Sequence, residues 1–292
     1  MPDYQLLTHE HRDLVNGYLQ RFAPEISEHT FTNLYVWRQA RPIWLTVVLD
    51  SLIFVIERRH GAKTTRVLFG PPLGSATPLE VITALPDELT GVVRIPEPGA
   101  TQLTAAGVHP IPDRANADYV YRVADLTALA GRNYHKKRNH VNQCLAKYQC
   151  SYEPISATNL EECKTTQRRW CEHRLCRTHP GLGNEDVAIA EMFDHLLPWQ
   201  LIGGAVRLNG TIQAYAVGER LNPTTAVCHF EKAMPNFDGL GQLINHWFAK
   251  YSLTGFEFVN REQDLGIAGL RQAKESYCPD HMVDKFSWFA DR

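Results

Sequence analysis

Three stretches in the second half of this 292-residue chain carry side chains that could do chemistry. The longest runs Asn260-Arg-Glu-Gln-Asp264-Leu-Gly266-Ile-Ala-Gly269-Leu-Arg271-Gln-Ala-Lys274-Glu-Ser-Tyr277-Cys-Pro279, directly after an apolar run that reads as a strand. Open α/β sheets bind ligands beyond the carboxyl ends of their strands. Asn260, Arg261, Glu262, Asp264 and Arg271 are therefore candidate substrate-binding residues. Helical spacing puts Leu270, Ala273 and Tyr277 on one inward face with Lys274 beside it. A partly buried lysine can hold a developing negative charge, so Lys274 is a catalytic candidate. The plainer alternative is a surface helix in which Arg271 pairs with Glu275. The second stretch, His229-Phe-Glu231-Lys232, closes another strand. His229 or Glu231 could take a proton from an attacking nucleophile, and Lys232 could contact substrate.

The third is Asn236-Phe-Asp-Gly239-Leu-Gly241-Gln242, at a strand-to-helix junction. Glycines there let backbone approach a ligand, and the free N–H groups of a helix start attract phosphate. Asn236, Gly239 and Gly241 thus form a candidate phosphate loop, although an ordinary turn would look the same. Charge placement adds a further signal. Arg132 to His179 holds ten Lys and Arg against four Glu, a local +6 in a chain of net −2. Arg132, Lys136, Lys137 and Arg138 are its densest part, and Tyr134, Tyr148 and Trp170 could stack on bases. Such a stripe suits RNA phosphates, or else two solvated helix faces. Cys171-x-His173-x-x-Cys176-x-x-His179 resembles zinc spacing, but one helix rarely supplies a closed tetrahedral site, so no metal is expected. No Gly-x-Ser-x-Gly elbow, phosphate-binding Walker loop or dinucleotide fingerprint occurs.

The elements that must position these groups read as α+β. Strands are expected at 42–50, 52–58, 65–70 and 92–95, with helices at 78–89 and 98–106. Farther on come helices at 132–148, 157–179 and 184–197, and a meander at 201–208, 211–221 and 225–233. The first two meander strands are joined by Asn209-Gly210, a strong hairpin signal. A helix at 239–251, a strand at 256–260, a helix at 266–277 and a strand at 282–289 complete the chain. The change of character near residue 125 divides it into domains 1–124 and 125–292. Apolar residues at 44% and charged residues at 21% describe a globular protein rather than a disordered one. The near-neutral net charge gives no general pull on nucleic acid or anionic lipid. Seven cysteines without a C-x-x-C pair fit reduced thiols. No apolar run is long enough to span a bilayer, and the start lacks a signal-peptide pattern, so a cytoplasmic protein without integral membrane association is expected.

Two resemblances follow from these residues. The loop at Asn236 to Gly241 is similar to the acyl-coenzyme A pyrophosphate loop of the GNAT acyltransferases, with Asn236 where that loop opens on Arg or Gln. Gly131-Arg-Asn-Tyr134-His-Lys-Lys-Arg138, His229-Phe-Glu-Lys232-Ala and Asn260-Arg-Glu-x-Asp-Leu-Gly-Ile-x-Gly-Leu-Arg-x-Ala-Lys274 resemble a bacterial family over nearly the whole chain. That family is related to the C-terminal catalytic domain of phosphatidylglycerol lysyltransferases and, more distantly, to the Fem peptidyltransferases. The resemblance implies two tandem GNAT-like domains, each a mixed, mainly antiparallel sheet flanked by helices. It also implies transfer of an aminoacyl group from aminoacyl-tRNA, as co-substrate, to an amine or hydroxyl, without a tightly bound cofactor. Lys274 and Pro279 match a family Lys–Pro pair thought to bind tRNA or assist the reaction. The family's Asp-x-x-Arg strand motif stands here as His229-Phe-Glu-Lys232, which points away from lysine and from a lipid acceptor. The absence of the lysyltransferases' membrane-embedded portion points further away from a lipid product. A soluble small molecule or peptide is the expected acceptor, with Arg132, Lys136, Lys137 and Arg138 holding the tRNA. The alternatives are an acyltransferase using acetyl- or acyl-coenzyme A, and a catalytically silent ligand-binding protein of the same fold.

Overall fold

The structure, a computed structural model, describes residues 3–60, 63–86 and 88–290. From the N-terminus it runs β1 (Gln5–Leu6), α1 (Arg12–Phe22), α2 (Phe31–Val36), β2 (Ile43–Val48), β3 (Ser51–His60) and β4 (Lys63–Phe69). It continues α3 (Pro78–Ala84), β5 (Leu89–Pro96), α4 (Glu97–Ala105), β6 (Ile111–Pro112) and β7 (Asp118–Arg122). Local chemistry explains several boundaries. Thr77 and Glu80 cap α3 reciprocally, with Pro78 at its first position, where no N–H is needed. Leu49 and Asp50 both adopt left-handed backbone, giving the tight β2–β3 link its twist.

After β7 come α5 (Val123–Ala128), α6 (His135–Lys147), β8 (Cys150–Pro154), α7 (Leu160–Arg174) and α8 (Pro180–His195). The meander β9 (Ile202–Leu208), β10 (Thr211–Arg220) and β11 (Thr225–Ala233) leads to α9 (Leu240–Trp247) and a π-helical turn over Phe248–Ser252. β12 (Phe258–Asn260), α10 (Ala268–Glu275), β13 (His281–Val283) and β14 (Lys285–Phe289) finish the chain. Asn209 and Gly210, both at positive φ, close the β9–β10 hairpin as the sequence predicts. Among the described residues no helix is long and apolar enough to cross a membrane.

The fold is α+β, with two mainly antiparallel seven-stranded sheets ordered β1-β2-β3-β4-β5-β14-β6 and β13-β7-β12-β11-β10-β9-β8. The two orders run in parallel. A three-stranded meander is followed by a helix and a strand parallel to its last member, β4 with β5 and β11 with β12. The next strand is taken from the opposite half of the sequence: β14 beside β5, and β7 beside β12. The expected single strand at 282–289 is therefore two strands, β13 and β14, in different sheets. Neither compact unit follows the expected division at residue 124. The first unit is Met1–Tyr119 with Gln263–Arg271 and Met282–Arg292; the second is Val120–Glu262 with Gln272–His281.

In the first unit Ile53, Val55, Leu68, Val81, Ile82, Leu89, Val92 and Leu103 form one apolar cluster. The same unit holds a buried polar seam that the sequence did not suggest. Lys285 on β14, fully buried, donates to Glu28 at 2.5 Å and to Asp118 at 2.7 Å, and Asp118 also accepts from Ser27 and Gln263. In the second unit Ala214, Tyr215, Ala216 and Val217 are consecutive and fully buried, so both faces of β10 are covered.

The expectation of reduced thiols is corrected at one place. Leu175, in left-handed backbone, ends α7 and folds Cys176 back on Cys171, and the two form a disulfide with Cα atoms 5.1 Å apart. The other five cysteines are free. Among the described residues no group of His, Cys, Asp and Glu could hold a metal.

Candidate active site

The parallel strands β11 and β12 stand side by side, with Val227 opposite Asn260, so residues just beyond this level project from the carboxyl ends of neighbouring strands. A β-bulge falls here. The β10 partner changes from Phe230 at Val217 to Cys228 at Gly218, leaving His229 as the extra residue on β11. A side chain at Gly218 would run into the Val227 carbonyl, so the close approach requires glycine. The bulge aims His229 between two carboxylates. Its Nε2 lies 2.9 Å from Glu219 and its Nδ1 2.8 Å from Glu262, and its side chain is 2% exposed. Burial alone would lower its pKa, but the two carboxylates override that and push it up to about 9. His229 is an imidazolium at neutral pH with both N–H groups engaged. It cannot act there as the proton acceptor that its residue type suggested.

Glu231, two residues on, faces a different set. Its Oε1 accepts from Arg261 at 3.1 Å and its Oε2 from Asn245 of α9 at 3.0 Å. Arg261 lies over the rings of Tyr121 and Tyr277, at 5.0–5.5 Å from their centroids. Its Nη1 and the Asn245 Oδ1 are buried without a partner. Burial opposes the Arg261 charge, but Glu231 and the tyrosines beside it raise its pKa further. Buried Lys274 donates to the main-chain oxygens of Arg261 and, at 3.3 Å, of Glu262. Asn260 accepts from the Glu262 N–H at 2.8 Å and steadies the same turn, in which Glu262 takes left-handed backbone.

α10 differs from its expected packing. Leu270 and Ala273 are exposed, while Lys274 and Tyr277 face inward, because Lys274 donates to the main-chain oxygens just beyond the end of β12. Arg271 pairs with Asp264 at 2.8 Å rather than with Glu275. Asp264 and Arg271 fold with the first unit, where fully buried Asp264 also accepts from Arg114 and Tyr119. Burial would raise the Asp264 pKa, but Arg271, Tyr119 and the Gly266 N–H hold it well below the usual carboxylate range. Lys232 pairs with Glu185 at 2.7 Å and sits over the Trp170 ring.

The glycine-rich loop has a packing reason of its own. Gly239 caps α9 in left-handed backbone, and a Cβ there would meet the His140 carbonyl of α6 at 2.2 Å. Asn236 is exposed, and a Cβ at Gly241 would meet nothing within 4 Å. The basic stripe divides. Arg132 and Lys136 are exposed, Arg138 donates to the Leu129 carbonyl, and Lys137 lies 3.9 Å from the Tyr277 ring centre with its Nζ on Ser276. Burial, with Arg261 nearby, lowers the Lys137 pKa. Sequence reasoning missed Glu219, Asn245 and Tyr121. Only Gly218 inside a strand hinted at the bulge, and nothing local marked the others.

This arrangement lies within a chain whose residues 19–289 match the family model described as phosphatidylglycerol lysyltransferase, C-terminal. The chain belongs to that family. The lysyltransferase-family chain is similar, at 29% identity and a TM-score of 0.87, to a conserved protein of unknown function from Bacteroides thetaiotaomicron, covering 98% of this chain and 99% of that one. Its fold is shared with L-PGS from Bacillus licheniformis, at 14% identity, TM-score 0.63 and coverage of 96% and 92%. It is shared equally with FemX, at 10% identity, TM-score 0.63 and coverage of 99% and 98%. No protein of curated function matches this family member.

The bulged histidine gives a first prediction. Because folding raises the His229 pKa from 6.5 to about 9, its contribution is complete below pH 6.5 and is lost as pH rises through 9. The shift corresponds to roughly 3 kcal/mol. Urea unfolding at pH 6 and pH 9.5 should show about that much extra alkaline loss in the wild type relative to His229→Gln. Equal losses in both proteins would refute the charged-histidine assignment.

Proposed function

We propose that the chain is an aminoacyltransferase that moves an aminoacyl group from aminoacyl-tRNA to an amine or hydroxyl of a soluble small molecule or peptide. The observation that carries this reading is Glu231, clamped by Arg261 and Asn245 at the carboxyl ends of two parallel strands, beside a guanidinium nitrogen without a partner. Membership of a family named for a lysyltransferase supports the same class. In the proposed reaction the acceptor attacks the ester carbonyl carbon and its proton passes to Glu231. The negative oxygen of the tetrahedral intermediate takes a hydrogen bond from Arg261 Nη1. Collapse breaks the ester bond, and the departing ribose hydroxyl recovers the proton from Glu231.

Lys274 and Asn260 act as positioning residues, since they fix the main chain at Arg261 and Glu262. His229 holds Glu219 and Glu262 together as a charged brace. Lys137, beside Tyr277, connects the basic helix α6 to this cluster, and the exposed Arg132 and Lys136 meet tRNA phosphates. Helix packing at Gly239 gives the loop a role that does not need coenzyme A. The deciding experiment is binding of purified protein to aminoacylated and deacylated tRNA at two salt concentrations, with coenzyme A as competitor. Salt-sensitive preference for the charged tRNA is expected. Binding of acetyl-coenzyme A without tRNA would overturn the reading in favour of acyl transfer.

A further inference from the structure

The edge strand β8, the end of α9 and the π-helical turn after it border an open pocket of about 300 Å³ lined by Cys150, Ser151, Tyr152, Trp247 and Tyr251. None of these residues belongs to the cluster around Glu231. Tyr152 and Tyr251 are 5.1 Å apart between ring centres and inclined by 35°, while Trp247 meets both nearly edge-on at 6.2 Å. Rings this close pack against one another and leave no gap for a cation between them, so the pocket is not a cage for an ammonium group. It is a platform. The Tyr152 hydroxyl is tied to Ser252 at 2.5 Å, and Tyr251 is 49% exposed.

Two further features bear on what the platform takes. The π-helical turn Phe248–Ser252 carries Tyr251 and the exposed Lys250, whose Nζ lies 5.1 Å from the Tyr251 ring centre; such turns often mark functional sites. Lys147, three residues before Cys150, is a second exposed cation, paired at the surface with Asp238 at 3.1 Å, a contact that a phosphate would have to replace. Moreover, among the described residues β8 ends its sheet, so one side of its main chain has no ladder partner there. An aromatic face with flanking cations is the combination that binds single-stranded nucleic acid.

We propose that this pocket holds an unpaired nucleobase of an RNA strand, stacked on the exposed face of Tyr251, which Tyr152 backs, with adjoining phosphates at Lys250 and Lys147. The proposal rests on the aminoacyl-tRNA reading and extends it to a second point of contact. Three strand spacings, about 14 Å laterally, separate β8 from β11, which carries Glu231. The test is fluorescence anisotropy of the full chain with aminoacyl-tRNA, a short single-stranded RNA and a blunt RNA duplex. Tyr251→Ala should weaken the first two about tenfold and leave the duplex unchanged, and Tyr251→Phe should restore binding. Lys250→Ala should reduce the salt slope for the single strand by about 0.7. Equal affinity of Tyr251→Ala and wild type for charged tRNA would overturn this proposal alone. Failure of the wild type to bind any RNA would sink the aminoacyl-tRNA reading with it.

Discussion

Glu231→Gln should lower aminoacyl transfer by two to four orders of magnitude, the usual worth of a positioned general base, with little change in affinity for charged tRNA. The amide keeps an oxygen for Arg261 or Asn245 but cannot take the acceptor's proton. The substitution also leaves the Arg261 charge buried beside Tyr121 and Tyr277 without its carboxylate, which costs stability of about 3 kcal/mol or more. Thermal melting must therefore accompany the kinetics. Glu231→Asp separates the two effects: it restores the charge, and with it stability, but draws the carboxylate back by one methylene and leaves transfer low. A folded Glu231→Gln protein with wild-type turnover would remove Glu231 from the reaction.

The largest effect on stability is expected at Lys285. Its ammonium lies between Glu28 and Asp118, all three essentially buried, and Arg94 approaches Glu28 from the other side at 3.0 Å. Lys285→Met fits the space but strands carboxylates in a dry interior, at a cost of about 3–5 kcal/mol by urea unfolding. Adding Glu28→Gln and Asp118→Asn should recover much of that loss, because the cost arises from uncompensated charge rather than from the missing contacts. A loss below about 1 kcal/mol in the single variant would show that water reaches the seam.

What the sequence made legible is what depends on neighbours in the chain. Asn209-Gly210 announced its hairpin and Pro78 its helix start, and the strand-to-helix punctuation near Gly239 located α9. The cluster residues Glu231, Arg261 and Lys274 came into view because their types sit at strand ends and match family motifs. Partners across the sheet stayed hidden. Nothing near Glu219 or Asn245 in sequence announces that one braces His229 and the other holds Glu231. The charge state of His229 follows from two carboxylates 10 and 33 positions away. The inward turn of Lys274 likewise depends on main-chain oxygens 12 and 13 residues earlier. Cys171 and Cys176 looked like unpaired thiols until the left-handed Leu175 brought them together.

The crossing-over of β7 and β14 has a consequence for synthesis. A ribosome releases β5 nearly two hundred residues before the strand that pairs with its free side. Throughout that interval the nascent first sheet presents an open edge, and Glu28 and Asp118 lack the lysine that neutralises them. Domains that emerge early ordinarily fold early. Here that order is reversed for one edge, since β5 gains its β14 neighbour only when translation reaches Lys285.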